Sequence, residues 1–359
     1  MAELIEIREL DGAFERLEEW LRERGFFARG GEALVADLYL GHGLSESIRR
    51  GTSFAPPEPC PQLPFAACRL LERADSLATP RRENRLAIGE WERSWTAAEY
   101  GAAVEDVRAA IARGDVYQVN LVQHLHAPFA GDPTALAARL APLRPLHPDP
   151  FVTADWAVAS ASPELFLARR GKRVWTMPIK GTRPRGEAAE LRGSEKDAAE
   201  HVMIVDLERN DLSRVCEPGS VRWPELMATR TLAGVEHMVS TVEGTLQQGV
   251  GLTEILCATF PGGSVTGAPK IAAVDLVAEL EPVGRGASMG ALGRVYGNGD
   301  FDLALTIRTF AIADGTIHLW VGGGIVWDSD PAAEVEESWV KARPLLSAIG
   351  APLPEAVVA

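Results

Sequence analysis

The sequence predicts an α+β fold. Helical and strand-like stretches are mixed without the regular alternation that a doubly wound sheet requires. The strands come in runs instead, with three in succession across 155–182 and three more at 288–296, 303–312 and 317–327. No internal repeat or low-complexity segment suggests a solenoid.

The first 95 residues carry the weakest signals. Phe14 to Arg24 reads as a short amphipathic helix, and the proline-rich stretch 52–64 as a loop. Thr96-Ala-Ala-Glu99 has the form of a capping box. Behind it Val104, Val107, Ala110 and Ile111 recur at helical spacing, which predicts a helix over 97–113. Gly114-Asp115 ends it, and 116–122 alternates like a strand. Further strands are expected at 156–160, 165–168 and 174–178, followed by a helix over 195–211. Another helix should run from Pro269 to Glu281, with Pro269 suited to its first turn, and a last one over 332–348.

Composition narrows the function. Hydrophobic residues at 46% and charged residues at 24% suit a globular domain with a core. The net charge of −14 argues against nucleic acid, since no basic excess exists to displace phosphate counterions, but a local cationic pocket for a small anion remains open. No apolar run is long enough to span a membrane, and the charged N-terminus lacks the core of a signal peptide. Cys60, Cys68, Cys216 and Cys257 form no CxxC pair and read as reduced, buried thiols of a cytoplasmic protein.

Several residues could carry chemistry, each with a plainer alternative. Glu200 shares a helical face with Met203, Ile204 and Leu207; it is a metal ligand or paired group, or an edge position with its head in solvent. Glu334, Glu337 and Lys341 share a face of the last helix, as a surface ion pair or as ligands for a hard cation such as Mg²⁺. The glycine-rich FPGGSVTGAPK at 260–270 is a tight turn or an anion loop; it is not a Walker A motif. Gly322-Gly323-Gly324 weakens a strand, which suggests close approach of a ligand or another backbone. Lys180 is a solvated lysine, or a nucleophile if a dry pocket lowers its pKa. Glu164 is a turn residue or a general acid.

Together and in this order, these stretches resemble the chorismate-utilising family, which includes anthranilate synthase component I, aminodeoxychorismate synthase component I, and the isochorismate and salicylate synthases. The matching segments are GDVYQVNL (114–121), ASPELF (161–166), PIKGTRPRG (178–186), EHVMIVDLERNDLSRV (200–215), VEHMVSTV (235–242), FPGGSVTGAPK (260–270), TIRT (306–309) and GGGIVWDSDP through Lys341. The resemblance implies antiparallel β-sheets packed face to face with helices outside. It also implies a catalytic domain over 96–350, a shortened N-terminal region over 1–95 packing on it, and a tail at 351–359.

The same resemblance implies Mg²⁺ held by Glu200 and Glu337 with Glu334 close by. It implies that Arg308 and Lys341 hold a substrate carboxylate. The loop from Gly263 to Thr266 and the run Gly322, Gly323 and Gly324 would lend N–H groups, and Thr182 and His237 fall at active-site positions. Glu164 matches the acid that helps the 4-hydroxyl of chorismate leave. Gln118 stands where isochorismate and salicylate synthases carry a water-activating lysine, so hydration at C2 is not expected. Lys180 stands where anthranilate synthases carry alanine and aminodeoxychorismate synthases carry lysine.

The expected activity is therefore conversion of chorismate and ammonia to 4-amino-4-deoxychorismate, on the way to 4-aminobenzoate and folate, with Lys180 adding covalently at C2. No glutaminase elbow surrounds any of the four cysteines, so ammonia should come from a separate class I glutamine amidotransferase subunit, or from solution. An anthranilate synthase-like enzyme is the runner-up, and a non-catalytic chorismate-binding subunit the third reading. Two departures stand out: Ser288 and Arg294 occupy positions where relatives tend to carry aromatic residues.

Overall fold

The structure is a computed structural model of the 359-residue chain, and it describes residues 3–71, 85–184, 186–232 and 235–352. The N-terminal part supplies β1 (Leu4–Ile7), α1 (Ala13–Glu23), β2 (Val35–Leu40) and β3 (Ala66–Leu70). Short strands β4 (Ala87–Ile88) and β5 (Glu92–Arg93) lead to α2 (Ala97–Arg113) and the long β6 (Gln118–Ala130). Then come α3 (Pro133–Leu140), β7 (Phe151–Val152), β8 (Trp156–Ser160), β9 (Leu165–Arg170), β10 (Arg173–Met177) and β11 (Ile179–Pro184). Helices α4 (Ala188–Gly193) and α5 (Glu195–Ser213) precede β12 (Arg222–Leu232) and β13 (Val235–Thr245). The rest is α6 (Leu252–Thr259), β14 (Gly267–Ala268), α7 (Lys270–Leu280), β15 (Ala291–Tyr296), β16 (Phe301–Leu305), β17 (Thr309–Ala313), β18 (Thr316–Ile325) and α8 (Pro331–Ile349).

These strands make two antiparallel sheets. The ten-stranded sheet runs β1-β3-β2-β15-β16-β9-β10-β13-β11, with β12 also on β13. The eight-stranded sheet runs β14-β6-β18-β17-β8-β7, with β4 and β5 on β6. Alternation along β18 sets the layers. Ile317, Leu319 and Val321 pack with Leu345, Leu346 and Ile349 of α8, while Trp320 points the other way into the core shared with Leu38, Leu40 and Leu303 of the larger sheet. Helix α2 buries Val104 and Val107 against Val119 and Leu121 of β6. Strands β1 to β3 complete one side of the larger sheet, where β2 pairs with β15 over Val35 to Leu40.

The capping box is present: Glu99 N–H donates to Thr96 Oγ1 at 3.2 Å, and Thr96 N–H to Glu99 Oε2 at 2.6 Å. Other expectations need correction. The strand expected at 116–122 starts at Gln118 and continues to Ala130, because Val119 to Pro128 pair with β18 and Phe129 and Ala130 with β4. Pro269 is the N-cap of α7, one residue outside the helix. The single strand expected at 303–312 is two strands in different sheets, β16 and β17. The break falls at Thr306–Arg308, where Arg308 takes φ +51°, a value no extended strand allows. Strands β12 and β13 and helices α3, α4 and α6 were not expected at all. Cys257 is exposed, on the solvent side of α6, whereas Cys60, Cys68 and Cys216 are buried.

The chain also changes sheets between β8 and β9, at residues 161–164. This crossover and the one at 306–308 run side by side. Ala161 N–H donates to Arg308 O at 3.0 Å, and Leu305 N–H to Glu164 O at 3.0 Å. Both sheets therefore meet at a point that carries a carboxylate and a guanidinium. Among the described residues no helix is long and apolar enough to cross a membrane.

Candidate active site

Glu164 closes the first crossover and is buried, 4% exposed. Burial holds its carboxyl above the usual range, against the opposing pull of Lys180, the Ser264 hydroxyl, the Ile179 N–H and Arg308. The Ile179 N–H lies 3.4 Å from Glu164 Oε1. A carboxyl kept protonated in a dry site is suited to act as a general acid.

Lys180 lies on β11, one residue beyond that N–H, and its Nζ donates to Ser264 O at 3.0 Å. Burial pulls its ammonium below the ordinary lysine range, opposed by Glu164 and Glu200. The lysine and the acid thus share a water-poor environment in which a neutral amine beside a neutral acid competes with the ion pair.

His237 on β13 is paired through the backbone with Thr182 of β11. Burial, with Arg308 nearby, pushes the imidazole down to about 4. It is therefore neutral near neutral pH and cannot serve there as a cation. Arg308 sits at the second crossover; burial lowers its pKa, but guanidinium remains charged.

The glycines bring two further elements to the same end of the sandwich. A Cβ on Gly323 would lie 3.1 Å from Glu337 Oε1, 3.2 Å from Lys341 Nζ and 3.5 Å from Glu334 Oε2, so these three side chains of α8 close over bare backbone. A Cβ on Gly324 would collide with Gln118 Nε2, so Gln118 lies flat on that strand. Gln118 is 1% exposed, and its Oε1 has no hydrogen-bond partner. The suspicion of close approach at this glycine run is met at Gly322 by the backbone of Leu121 and Val122, and at Gly323 and Gly324 by side chains of the protein itself. One edge of the run lies beyond the end of β17, whose last pair on this side is Phe310 with Leu319. Lys341 Nζ donates to Gly322 O at 2.8 Å and pairs with Glu337 Oε1 at 2.7 Å.

The glycine-rich loop contains a tight turn at Gly263–Val265. The N–H groups of Val265 and Thr266 are directed back into this turn, each 3.3 Å from a glycine carbonyl. Thr266 is buried, its hydroxyl donates to Gly262 O at 2.9 Å, and its carbonyl takes the Asn120 N–H of β6 at 2.7 Å. What the loop turns toward Lys180 is a carbonyl, that of Ser264.

Glu334 receives the Ser329 hydroxyl at 2.7 Å and shares its helix face with Glu337. Glu200 reaches Lys180 electrostatically from α5. The oxygen donors suit a hard cation in kind. Among the described residues, however, no group of three or more such side chains is gathered closely enough to hold a metal ion.

Sequence reasoning missed three residues here. His201 is fully buried, bonds to Ser240 Oγ at 2.6 Å, and is pushed down to about 4 by burial and Lys180. Ser264 supplies a carbonyl to Lys180, while its own buried hydroxyl, near Glu164, makes no hydrogen bond by geometry among the described residues. Glu208 is buried on α5, and its signal was available: it continues the i, i+4, i+8 stripe from Glu200 and Ile204. Of the two departures, Ser288 is fully buried with an unpartnered hydroxyl. Arg294 pairs with Asp37 at 3.3 Å and Asp149 at 2.6 Å.

Two facing antiparallel sheets bring an acid and an arginine together at their crossovers, with the amine of Lys180 on β11 in the acid's field. The chain belongs to the chorismate binding enzyme family, whose sequence pattern matches residues 56–347. It is 43% identical over 272 residues to anthranilate synthase component 1 of Streptomyces coelicolor, covering 72% of this chain and 53% of that protein. It is 39% identical over 280 residues to aminodeoxychorismate synthase component 1 of Salmonella typhimurium, covering 76% and 62%. The matches thus span roughly half to three fifths of these relatives' length. Among solved structures, anthranilate synthase component I from Streptococcus pneumoniae superposes with TM-score 0.80 at 25% identity, covering 91% of this chain and 84% of that one. A putative 2,3-dihydroxybenzoate-specific isochorismate synthase from Bacillus anthracis shares the fold, with TM-score 0.74 at 23% identity over 98% of this chain and 92% of that one.

Proposed function

We propose that the protein converts chorismate and ammonia to 4-amino-4-deoxychorismate, the reaction of an aminodeoxychorismate synthase component 1. The observation that carries this reading is Lys180, a half-buried lysine whose ammonium is pulled below the ordinary range, in the field of a buried acid, Glu164. Neutral Lys180 adds its lone pair at C2 of chorismate. Both ring double bonds shift, C1=C2 to C1=C6 and C5=C6 to C4=C5, and the C4–O bond breaks as Glu164 gives its proton to the departing hydroxyl, which leaves as water. Ammonia then forms a bond at C4 and the C2–N bond breaks, returning Lys180; the surplus proton on nitrogen returns to Glu164.

Arg308 and Lys341 hold substrate carboxylates in this reading, with Gly322 to Gly324 giving the ring room against bare backbone. Gln118 is an amide and cannot deprotonate water, which disfavours hydration at C2. The family resemblance implies Mg²⁺ on Glu200, Glu334 and Glu337, but these three carboxylates are not drawn together here, and no residue role in the reading depends on the ion. Ammonia would be delivered by a separate class I glutamine amidotransferase subunit, and the product would serve 4-aminobenzoate and folate synthesis.

The second reading is an anthranilate synthase, favoured by the 43% identity to such a relative. The deciding experiment incubates the protein with chorismate, Mg²⁺ and an ammonium salt, with and without aminodeoxychorismate lyase. Lyase-dependent 4-aminobenzoate supports the proposal. Fluorescent anthranilate formed without lyase overturns it in favour of the second reading.

A further inference from the structure

The glycine-rich stretch ends in a lysine that the steps above leave unused. Its loop runs from Phe260 to Pro269 between α6 and α7, and Lys270 is the first residue of α7. A cation there stands at the wrong end of the helix dipole, and the first turn of α7 has no acidic residue to offset it. The side chain is drawn elsewhere. Lys270 Nζ donates to Asp211 Oδ2 of α5 at 2.6 Å and to Thr259 O at 2.9 Å. The two charged side chains are only 11% and 8% exposed, so this is not one of the surface pairs that contribute little. Thr259 is the last residue of α6, and its carbonyl lies beyond the reach of any N–H within that helix. One ammonium therefore joins the residue before the loop, the residue after it and the helix beneath.

Three contacts depend on where this loop lies. Ser264 O receives Lys180 Nζ at 3.0 Å. Thr266 O and Ala268 O receive the N–H groups of Asn120 and Tyr117 at 2.7 Å each. Beneath them, a Cβ on Gly263 would come within 2.9 Å of Leu207 Cδ2, and Asp211 follows one turn later on the same face of α5. Packing leaves a gap here, for Gly262, Gly263, Asp211 and Thr259 line a crevice with room for about one water molecule. The upstream end of the loop has a second tie to α5, from Arg214 Nη1 to Ala258 O at 3.3 Å. The downstream end is tied to α5 through Lys270.

We propose that Lys270 is a positioning residue: with Asp211 it clasps both ends of the glycine-rich loop onto α5, and so fixes the Ser264 carbonyl that holds Lys180 Nζ. Its effect on turnover rests on the reading of Lys180 as the nucleophile. An ammonium suits the task because it carries three donors on one atom and can serve a carboxylate and a carbonyl together. Without the clasp the loop opens at its downstream end. Ser264 O then leaves Lys180, and the amine loses the anchor that sets its direction of attack.

The test replaces the pair together. Lys270→Met with Asp211→Leu leaves neither charge buried without its partner and should fold about as stably as the wild type. Hydrogen exchange, read without substrate, comes first. The amides of Tyr117 and Asn120, which bond to loop carbonyls, should exchange about tenfold faster or more, while the β6 amides that bond to β18 keep their rates. A rise shared by all of β6 would make the pair a general stabiliser, and no rise would show that the loop holds itself; either overturns the proposal. Turnover comes second. The kcat should fall about 10²-fold with KM for chorismate little changed, because the attacking amine is displaced rather than the groups that bind substrate. Wild-type kcat in a variant whose loop amides exchange freely overturns the proposal as well. Asp211→Asn keeps the side chain's shape without the charge that holds Lys270, and serves if the double variant folds poorly. Exchange at Tyr117 and Asn120 should rise there too, and an unchanged rate counts against the clasp. Lack of lyase-dependent 4-aminobenzoate from the wild type would sink the functional reading alone, since exchange is measured without turnover.

Discussion

Lys180 Nζ and the carbonyl of Ser264 are 3.0 Å apart, so the amine is anchored by the backbone of the glycine-rich loop. Only a flexible primary amine on a long stem can reach that carbonyl and still be released to attack. Lys180→Ala should lose activity by about two to four orders of magnitude. Lys180→Arg should fare no better, because guanidinium stays charged. Lyase-coupled 4-aminobenzoate formation measures both, and activity retained in Lys180→Ala would remove the lysine from the mechanism.

Glu164→Gln keeps the shape of the side chain and deletes the proton. A fall in kcat of about 10²- to 10⁴-fold with little change in KM is expected if the carboxyl acts only as the hydroxyl departs. A variant that binds chorismate weakly but turns over normally would assign Glu164 to binding.

Gly324→Ala should be damaging through Gln118, whose amide occupies the position the new methyl needs. Overpacking of this kind costs about 1–3 kcal/mol. The double variant Gly324→Ala, Gln118→Ala should recover most of the thermal stability. Failure to recover would place the strain in the strand backbone.

Arg285 is buried with Glu281. It donates to Glu281 Oε2 and Oε1 at 2.8 Å each, and holds the carbonyls of Asn120 at 2.6 Å and Val265 at 3.2 Å. Arg285→Leu leaves Glu281 without its partner, for an expected loss of about 3–5 kcal/mol. Denaturant titration of the single variant against Arg285→Leu, Glu281→Met checks this, and the pair replaced together should be the more stable of the two.

Stability should depend on pH through buried histidines. Burial pushes His201 and His318 down from 6.5 to about 4, so the unfolded chain binds protons that the folded one refuses. Their contribution is complete above pH 6.5 and is lost as pH falls toward 4. The melting temperature should drop over that window, more steeply in the wild type than in His318→Gln. Equal slopes would acquit this histidine.

How much of this was legible in the residues differs from place to place. Thr96 and Glu99 announced α2 because a capping box is a local device with a local signature. The crossover at Thr306–Arg308 announced nothing, since apolar residues continue through it and the positive φ of Arg308 leaves no mark on the pattern. Strands β12 and β13 were overlooked because Pro224 and a scatter of charges hide their alternation. Lys180 stands out alone, as a solvated lysine or a nucleophile, whereas Gln118 stands out only when several ambiguous stretches are read together. Glu208 lay in plain view on its helical stripe, but burial, which makes it chemically interesting, is a property of the packed chain.

The paired crossovers also bear on how this protein can be taken apart. Each layer of the sandwich is assembled from several separate lengths of chain, and two of the stitches between layers are the places where the acid and the arginine sit. Cutting the chain at the first stitch, residues 161–164, would yield fragments that each hold strands of both layers. A split enzyme made there should regain its chemistry only on reassembly, which turns the catalytic centre into a reporter of whether the two halves have joined.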